Sequence, residues 1–196
     1  HGAASGDFDN DGDLDIFCST KLFLINDGNG GFIQNTSLFQ ENSNGIYTVE
    51  FFDFNKDGFL DLICGGHSMY DGWGDMPSSI IYYGNGVDFT EDRSVILPNL
   101  EEWEVTVDYT IADLNSDGKE EILLVRTGGY VNENDEMINF YNGWRVQVLE
   151  KISDDEYIDS TSNFMNNYYG SSQWIVRLRV QDIDMDGKLE IFENDR

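Results

Sequence analysis

Asp7, Asp9, Asp11 and Asp15 set four carboxylates at the first, third, fifth and ninth positions of a stretch whose sixth residue is Gly12. Alternate residues of a tight loop can turn their oxygens toward one centre, and such a set suits a hard divalent cation with oxygen ligands, Ca²⁺ above all. The glycine permits the sharp turn. The seventh residue, Asp13, would add its backbone carbonyl.

The same spacing returns three times. The second copy offers Asp53, Asn55, Asp57 and Asp61 with the carbonyl of Phe59; the third, Asp113, Asn115, Asp117 and Glu121 with that of Lys119; the fourth, Asp182, Asp184, Asp186 and Glu190 with that of Lys188. Up to four Ca²⁺ are therefore expected. One such stretch could be an ordinary polar turn, since Asp, Asn and Gly all favour turns. Four copies that each keep the ninth-position acid argue for a ligand set. Without a cation the crowded carboxylates repel one another, which raises their pKa values and destabilises the fold. An EF-hand would call for a bidentate Glu at position twelve and for flanking helices. Position twelve here is Cys18, Cys64, Leu124 and Glu193, and the residues after each ninth position read as a strand.

The elements that must hold these loops are short. Apolar runs come after each loop at Ile16 to Cys18, Leu62 to Cys64, Ile122 to Val125 and Ile191 to Phe192. Second apolar segments at Leu22 to Ile25, Ile80 to Tyr83 and Ile138 to Tyr141 lead into turns such as Gly84-Asn85-Gly86, so hairpins are predicted. Fourth strands are predicted near Phe32 to Gln34, Asp88 to Thr90 and Val146 to Leu149, and leading strands at Ile46 to Phe52, Val105 to Ala112 and Trp174 to Val180. His1 to Gly6 reads as too little for a good leading strand in the first repeat. With only two Pro and little helical periodicity, the chain is expected to be all-β. The expected architecture is β-propeller blades of four antiparallel strands whose inner strands, covered on both faces, read as nearly continuous apolar runs. Residues 1–196 are expected to form a single region with repeats starting near 7, 53, 113 and 182, the last incomplete. About three and a half repeats point to an arc of a larger propeller with further blades in the parent chain, a closed small ring being the alternative.

The stretches GDFDNDGDLDIF, FFDFNKDGFLDLI, IADLNSDGKEEILL and VQDIDMDGKLEIF, with the glycine turn INDGNGGF, resemble the FG-GAP/VCBS repeat family, which includes the integrin α-subunit propeller. The resemblance spans essentially the whole chain. It implies calcium loops between the first and second strands of each blade, with ligands at the positions already named. Asn55 and Asn115 depart from the acidic pattern, and Glu120 sits beside Glu121, so these sites are expected to be weaker or to differ in which carboxylate reaches the metal.

The net charge of −27 opposes nucleic acid and anionic membrane surfaces as partners. No apolar run reaches the roughly 20 residues of a bilayer-spanning helix, so no direct membrane insertion is expected. Millimolar extracellular calcium would suit such loops, which favours a secreted or cell-surface location. Two Cys imply no disulfide framework, and Cys18 and Cys64, at one repeat position, are expected to be buried free thiols. Trp103, Trp144 and Trp174 are expected to pack within or between blades. The loops after the second strands should lie at the sheet end opposite the calcium loops. The longest, Gly65 to Ser79, carries His67, Tyr70 and Trp73, whose rings would suit a sugar or could simply shield blade edges. No GxSxG, P-loop, HExxH or cysteine-rich zinc pattern is present, so no catalytic site is expected. The expected role is a calcium-binding module for extracellular recognition or adhesion, with a glycan or protein ligand. The alternatives are the propeller portion of a secreted polysaccharide-active enzyme or a structural spacer.

Overall fold

The computed structural model describes residues 2–40, 46–66, 79–128, 130–131, 134, 137–138, 143–166, 169–170 and 177–193. They divide into two compact units, His1–Leu97 and Pro98–Arg196.

The first unit contains β1 (Ala3–Gly6), β2 (Asp15–Cys18), β3 (Leu22–Asn26), β4 (Phe32–Asn35), β5 (Phe39–Gln40), β6 (Ile46–Phe52), β7 (Asp61–Gly66), β8 (Ser79–Tyr82), β9 (Phe89–Thr90) and β10 (Ser94–Ile96). It forms two four-stranded antiparallel blades, β1-β2-β3-β4 and β6-β7-β8-β10. The first repeat therefore does have its leading strand, paired from Ala3↔Cys18 to Gly6↔Asp15. Small residues suit so short a segment: a Cβ on Gly6 would lie 2.5 Å from Leu60 Cδ1, so a larger residue would require the Leu60 side chain to shift. Between the blades lies a continuous core that includes Phe8, Phe17, Phe23, Phe51, Leu62, Tyr82 and Phe89.

The fourth strand of the second blade is also displaced from its expected place. Phe89–Thr90 pairs in parallel with Phe39–Gln40, because Phe89 turns into the aromatic core, and Ser94–Ile96 takes the outer position beside β8. Between them the chain makes a single 3₁₀ turn at Glu91–Arg93, held by the Arg93 guanidinium on Asp88 at 2.6 Å.

The second unit contains β11 (Val105–Ala112), β12 (Glu121–Thr127), β13 (Tyr130–Val131), β14 (Met137–Ile138), β15 (Trp144–Ser153), β16 (Glu156–Asp159), the one-turn helix α1 (Thr161–Phe164), β17 (Tyr169–Gly170), β18 (Leu178–Gln181) and β19 (Glu190–Glu193). Its blade runs β11-β12-β15-β16, with β17 added beside β15. Here the expected strand division is wrong by one element. Met137–Ile138 forms a small hairpin with Tyr130–Val131, and the third strand is Trp144–Ser153. The buried run of Val146, Gln147, Val148 and Leu149 belongs beside β12, which is itself buried throughout, and the outer position falls to Glu156–Asp159. A last antiparallel pair, β18-β19, supplies the incomplete fourth repeat. Its leading strand begins at Leu178, and the earlier part of the expected strand, with Trp174, lies outside the described residues.

Strands β7, β8 and β12 are buried along their whole length, as strands covered on both faces should be, whereas β2 alternates. Neither cysteine forms a disulfide, and Cys64 is buried whereas Cys18 is only half-buried. Trp144 packs half-buried against Val125, Val146 and Leu178, and Trp103 carries the Arg145 guanidinium 4.8 Å above its ring.

Asp108 fastens β11 to β18. Its carboxylate accepts the Leu178 N–H at 3.2 Å, while Thr110 Oγ1 donates to the Leu178 carbonyl at 3.2 Å. Burial pushes the Asp108 pKa up to about 6, against the opposing pull of Arg177 and Arg179. Because the folded pKa lies above the unfolded one, the stabilising contribution is full below about pH 4 and is lost as the pH rises through about 6. Asp108→Asn is expected to flatten the stability of this unit between pH 4 and 6 and to raise it by about 1 kcal/mol at pH 7.5. Urea denaturation across that range checks this, and an unchanged slope would sink it.

Candidate metal centre

Each acidic stretch lies where a leading strand hands over to the next: between β1 and β2, β6 and β7, β11 and β12, and β18 and β19. The four close in the same way. The first acid takes the N–H groups of the fifth and sixth residues on its two oxygens: Asp7 from Asp11 and Gly12, Asp53 from Asp57 and Gly58, Asp113 from Asp117 and Gly118, Asp182 from Asp186 and Gly187, at 2.9–3.1 Å. The fifth acid accepts the seventh N–H, as Asp57 does from Phe59 and Asp117 from Lys119, both at 2.9 Å. These bonds fold the stretch into an arc whose carboxylates converge.

Backbone conformation completes the arc. The fourth residue is left-handed in every copy, with φ 59° at Asn10, 59° at Lys56, 60° at Ser116 and 61° at Met185. The sixth-position glycines have φ between 88° and 99°, which explains the residue type there. Sequence spacing does not reveal the left-handed fourth residue, since Lys, Ser and Met have no preference for left-handed backbone.

The ninth acid reaches furthest into the structure. Asp15 and Asp61 are 1% and 0% exposed, and Glu121 is 2% exposed. Asp61 accepts the Phe54 N–H at 2.7 Å and the Gly84 N–H at 2.9 Å, so it ties the loop to the end of the third strand. Asp15 accepts the Asn26 N–H at 2.8 Å in the same manner. Glu121 and Glu190 accept the N–H of the second residue, Leu114 and Ile183, both at 2.8 Å.

Burial opposes the charges held this way. It pushes the Asp61 carboxyl up to about 6 and raises those of Asp15 and Glu121 as well. Asp9 is raised by burial and by the neighbouring Asp11. Two oxygens in the first loop, Asp9 Oδ1 and Asp15 Oδ2, are buried with no hydrogen-bond partner. Carboxylate oxygens of Asp7, Asp9 and Asp15 lie within 4.8 Å of one another, as do those of Asp182, Asp184 and Glu190. Carboxylate oxygens that converge and in part lack any donor could hold a cation. In the second and third loops the neutral Asn55 and Asn115 instead donate to Asp57 and Asp117, at 2.9 and 3.3 Å.

Residues 7–64, which hold the first two loops and the strands between them, match the family model of the FG-GAP-like repeat. This stretch is an FG-GAP-like repeat. A search of curated proteins returns no match. The second unit repeats a four-stranded antiparallel blade and the loop hydrogen bonds of the first two acidic stretches. His67, Tyr70 and Trp73 lie outside the described residues. In the first blade, the loop after β2 is a tight turn closed by the Lys21 N–H on the Cys18 carbonyl at 2.8 Å. No helix among the described residues is long and apolar enough to cross a membrane.

Proposed function

We propose that the chain is a calcium-stabilised propeller module whose four loops each hold one Ca²⁺, and that it serves extracellular recognition or adhesion rather than catalysis. The buried, unpartnered oxygens of Asp9 and Asp15 carry the metal reading, because an anionic acceptor kept from both water and donors calls for a cation. Side-chain oxygens at positions one, three, five and nine, with the seventh carbonyl, would hold each ion. Bound Ca²⁺ would supply charge neutralisation and would fasten the leading strand, the second strand and, through the ninth acid, the end of the third. The loops therefore belong to the scaffold, and a glycan or protein ligand would meet the opposite sheet ends, where the segment with His67, Tyr70 and Trp73 lies in sequence. Secretion or surface display fits the calcium supply such loops need.

Calorimetric titration of the chelated protein with Ca²⁺ is expected to give up to four sites per chain, the loops with Asn55 and Asn115 filling last. A flat titration would remove the metal reading. A glycan array run with and without calcium, beside a screen for polysaccharide degradation, tests the rest. Binding without turnover supports the recognition module, product release would replace it with an enzyme, and silence in both would leave a spacer.

A further inference from the structure

Asn10 donates from its side-chain amide to the Gly58 carbonyl at 3.0 Å, which joins the fourth residue of the first acidic loop to the sixth of the second. The peptide after Gly58 is held from its other side, since the Phe59 N–H donates to Asp57 Oδ1 at 2.9 Å. Asp57 and the Phe59 carbonyl are both in the ligand set assigned to the second loop. On the first loop, Asn10 stands between Asp9 and Asp11, at φ 59°, a conformation that Asn tolerates better than most residues. One hydrogen bond thus connects a peptide that the second ion would fix to the arc that would wrap the first.

We infer that Asn10 is a positioning residue that couples the first two calcium loops, so that filling the second raises the affinity of the first. This rests on the calcium reading of the loops. A metal at the second loop draws in Asp57 and the Phe59 carbonyl, which fixes the peptide between them and presents the Gly58 oxygen in one place. Asn10 then meets a fixed acceptor, and part of the ordering that the first loop needs is already done. By linkage, the first ion favours the second by the same factor. Coulomb interaction works the other way, because a filled second loop offers less negative charge to a cation approaching the first. The sign of the coupling therefore separates the hydrogen bond from the field. The expected size is about fivefold in affinity, the low end for coupling between sites.

The test tracks the backbone amides of Gly12 and Gly58 by NMR during calcium titration of the full chain. Each amide is bonded to the first acid of its own loop, to Asp7 Oδ2 and Asp53 Oδ2 respectively, and so reports that loop alone. The second loop carries Asn55 and fills after the first, so the Gly58 midpoint carries the coupling. Asp11→Asn, which weakens the first loop, should weaken the Gly58 midpoint about fivefold, and Asn10→Ala should abolish that dependence or reverse its sign. An equal effect of Asp11→Asn with and without Asn10, or none in either, overturns the coupling while leaving calcium binding intact. If neither amide responds to calcium, the metal reading fails and the coupling with it. Should Asp11→Asn not fold, Asn10→Ala alone decides: a Gly58 midpoint that weakens supports the coupling, and one that stays unchanged overturns it.

Discussion

Excess EDTA is expected to lower the melting temperature at pH 7.5 by at least about 10 °C. A ligand present at a hundred times its Kd stabilises the state it binds by about 2.7 kcal/mol per site, and each kcal/mol is roughly 4–8 °C for a unit of about a hundred residues. Two loops fall in each unit, so the expected fall is a low estimate. Its pH dependence comes from the ninth acids. In the chelated protein the Asp61 carboxyl titrates near 6, raised by burial above its unfolded value, so its contribution to apo stability is full below about pH 4 and lost as the pH rises through 6. Calcium needs the same carboxyl ionised, and protons compete with it increasingly below pH 6. The gap between calcium-loaded and chelated melting temperatures should thus be widest near pH 7.5 and shrink toward pH 5. Scanning calorimetry at both pH values measures it. Coincident curves at pH 7.5 would sink the metal reading, and a gap that widens toward pH 5 would contradict the role given to the ninth acids.

The acidic loops were legible because their chemistry is local: side chains within nine residues set the spacing, and a glycine marks the turn. Burial of the ninth acid was not legible, since Asp61 is covered by Gly84 and the strand before it, which are distant in sequence. A Cβ on Gly84 would lie 2.1 Å from the Leu60 carbonyl oxygen, so a residue that read as part of a hairpin turn is also what lets the third strand reach the loop. Strand existence was readable from apolar runs, but strand order failed where two short runs competed for one edge. Phe89–Thr90 and Ser94–Ile96 are both short apolar-polar segments, and only the rings of Phe23, Phe8 and Phe51 around Phe89 decide which one leaves the blade. In the third repeat, Met137–Ile138 lost to Trp144–Ser153 because the longer run can bury a face along the whole of β12. Ala3–Gly6 was undervalued for the opposite reason: small residues carry little apolar signal, yet they suit a strand that packs backbone-close.

Phe23→Ala is expected to destabilise the first unit by about 3–5 kcal/mol, in line with truncation of a fully buried aromatic ring. Phe23 is 0% exposed, with the ring centroids of Phe17, Phe8 and Phe89 at 4.7, 5.1 and 5.8 Å. Its loss would leave a cavity among side chains from β2, the first acidic loop and β9, which cannot all close on it without moving those elements. Phe8 makes the effect reach the metal centre: it is the second residue of the loop, between Asp7 and Asp9. A Phe8 ring that loses its support no longer fixes the backbone between those two carboxylates. Phe23→Ala should therefore weaken calcium binding at the first loop, read from the Gly12 amide, and leave the loop with Asp113 unchanged, read from Gly118. Phe23→Leu, which keeps most of the volume, should cost roughly 1.5 kcal/mol and shift the Gly12 midpoint less. Equal shifts at Gly12 and Gly118 would show a global loss of stability and no link from core to loop. An unchanged Gly12 midpoint beside the full stability loss would show that the aromatic core and the acidic loop are independent.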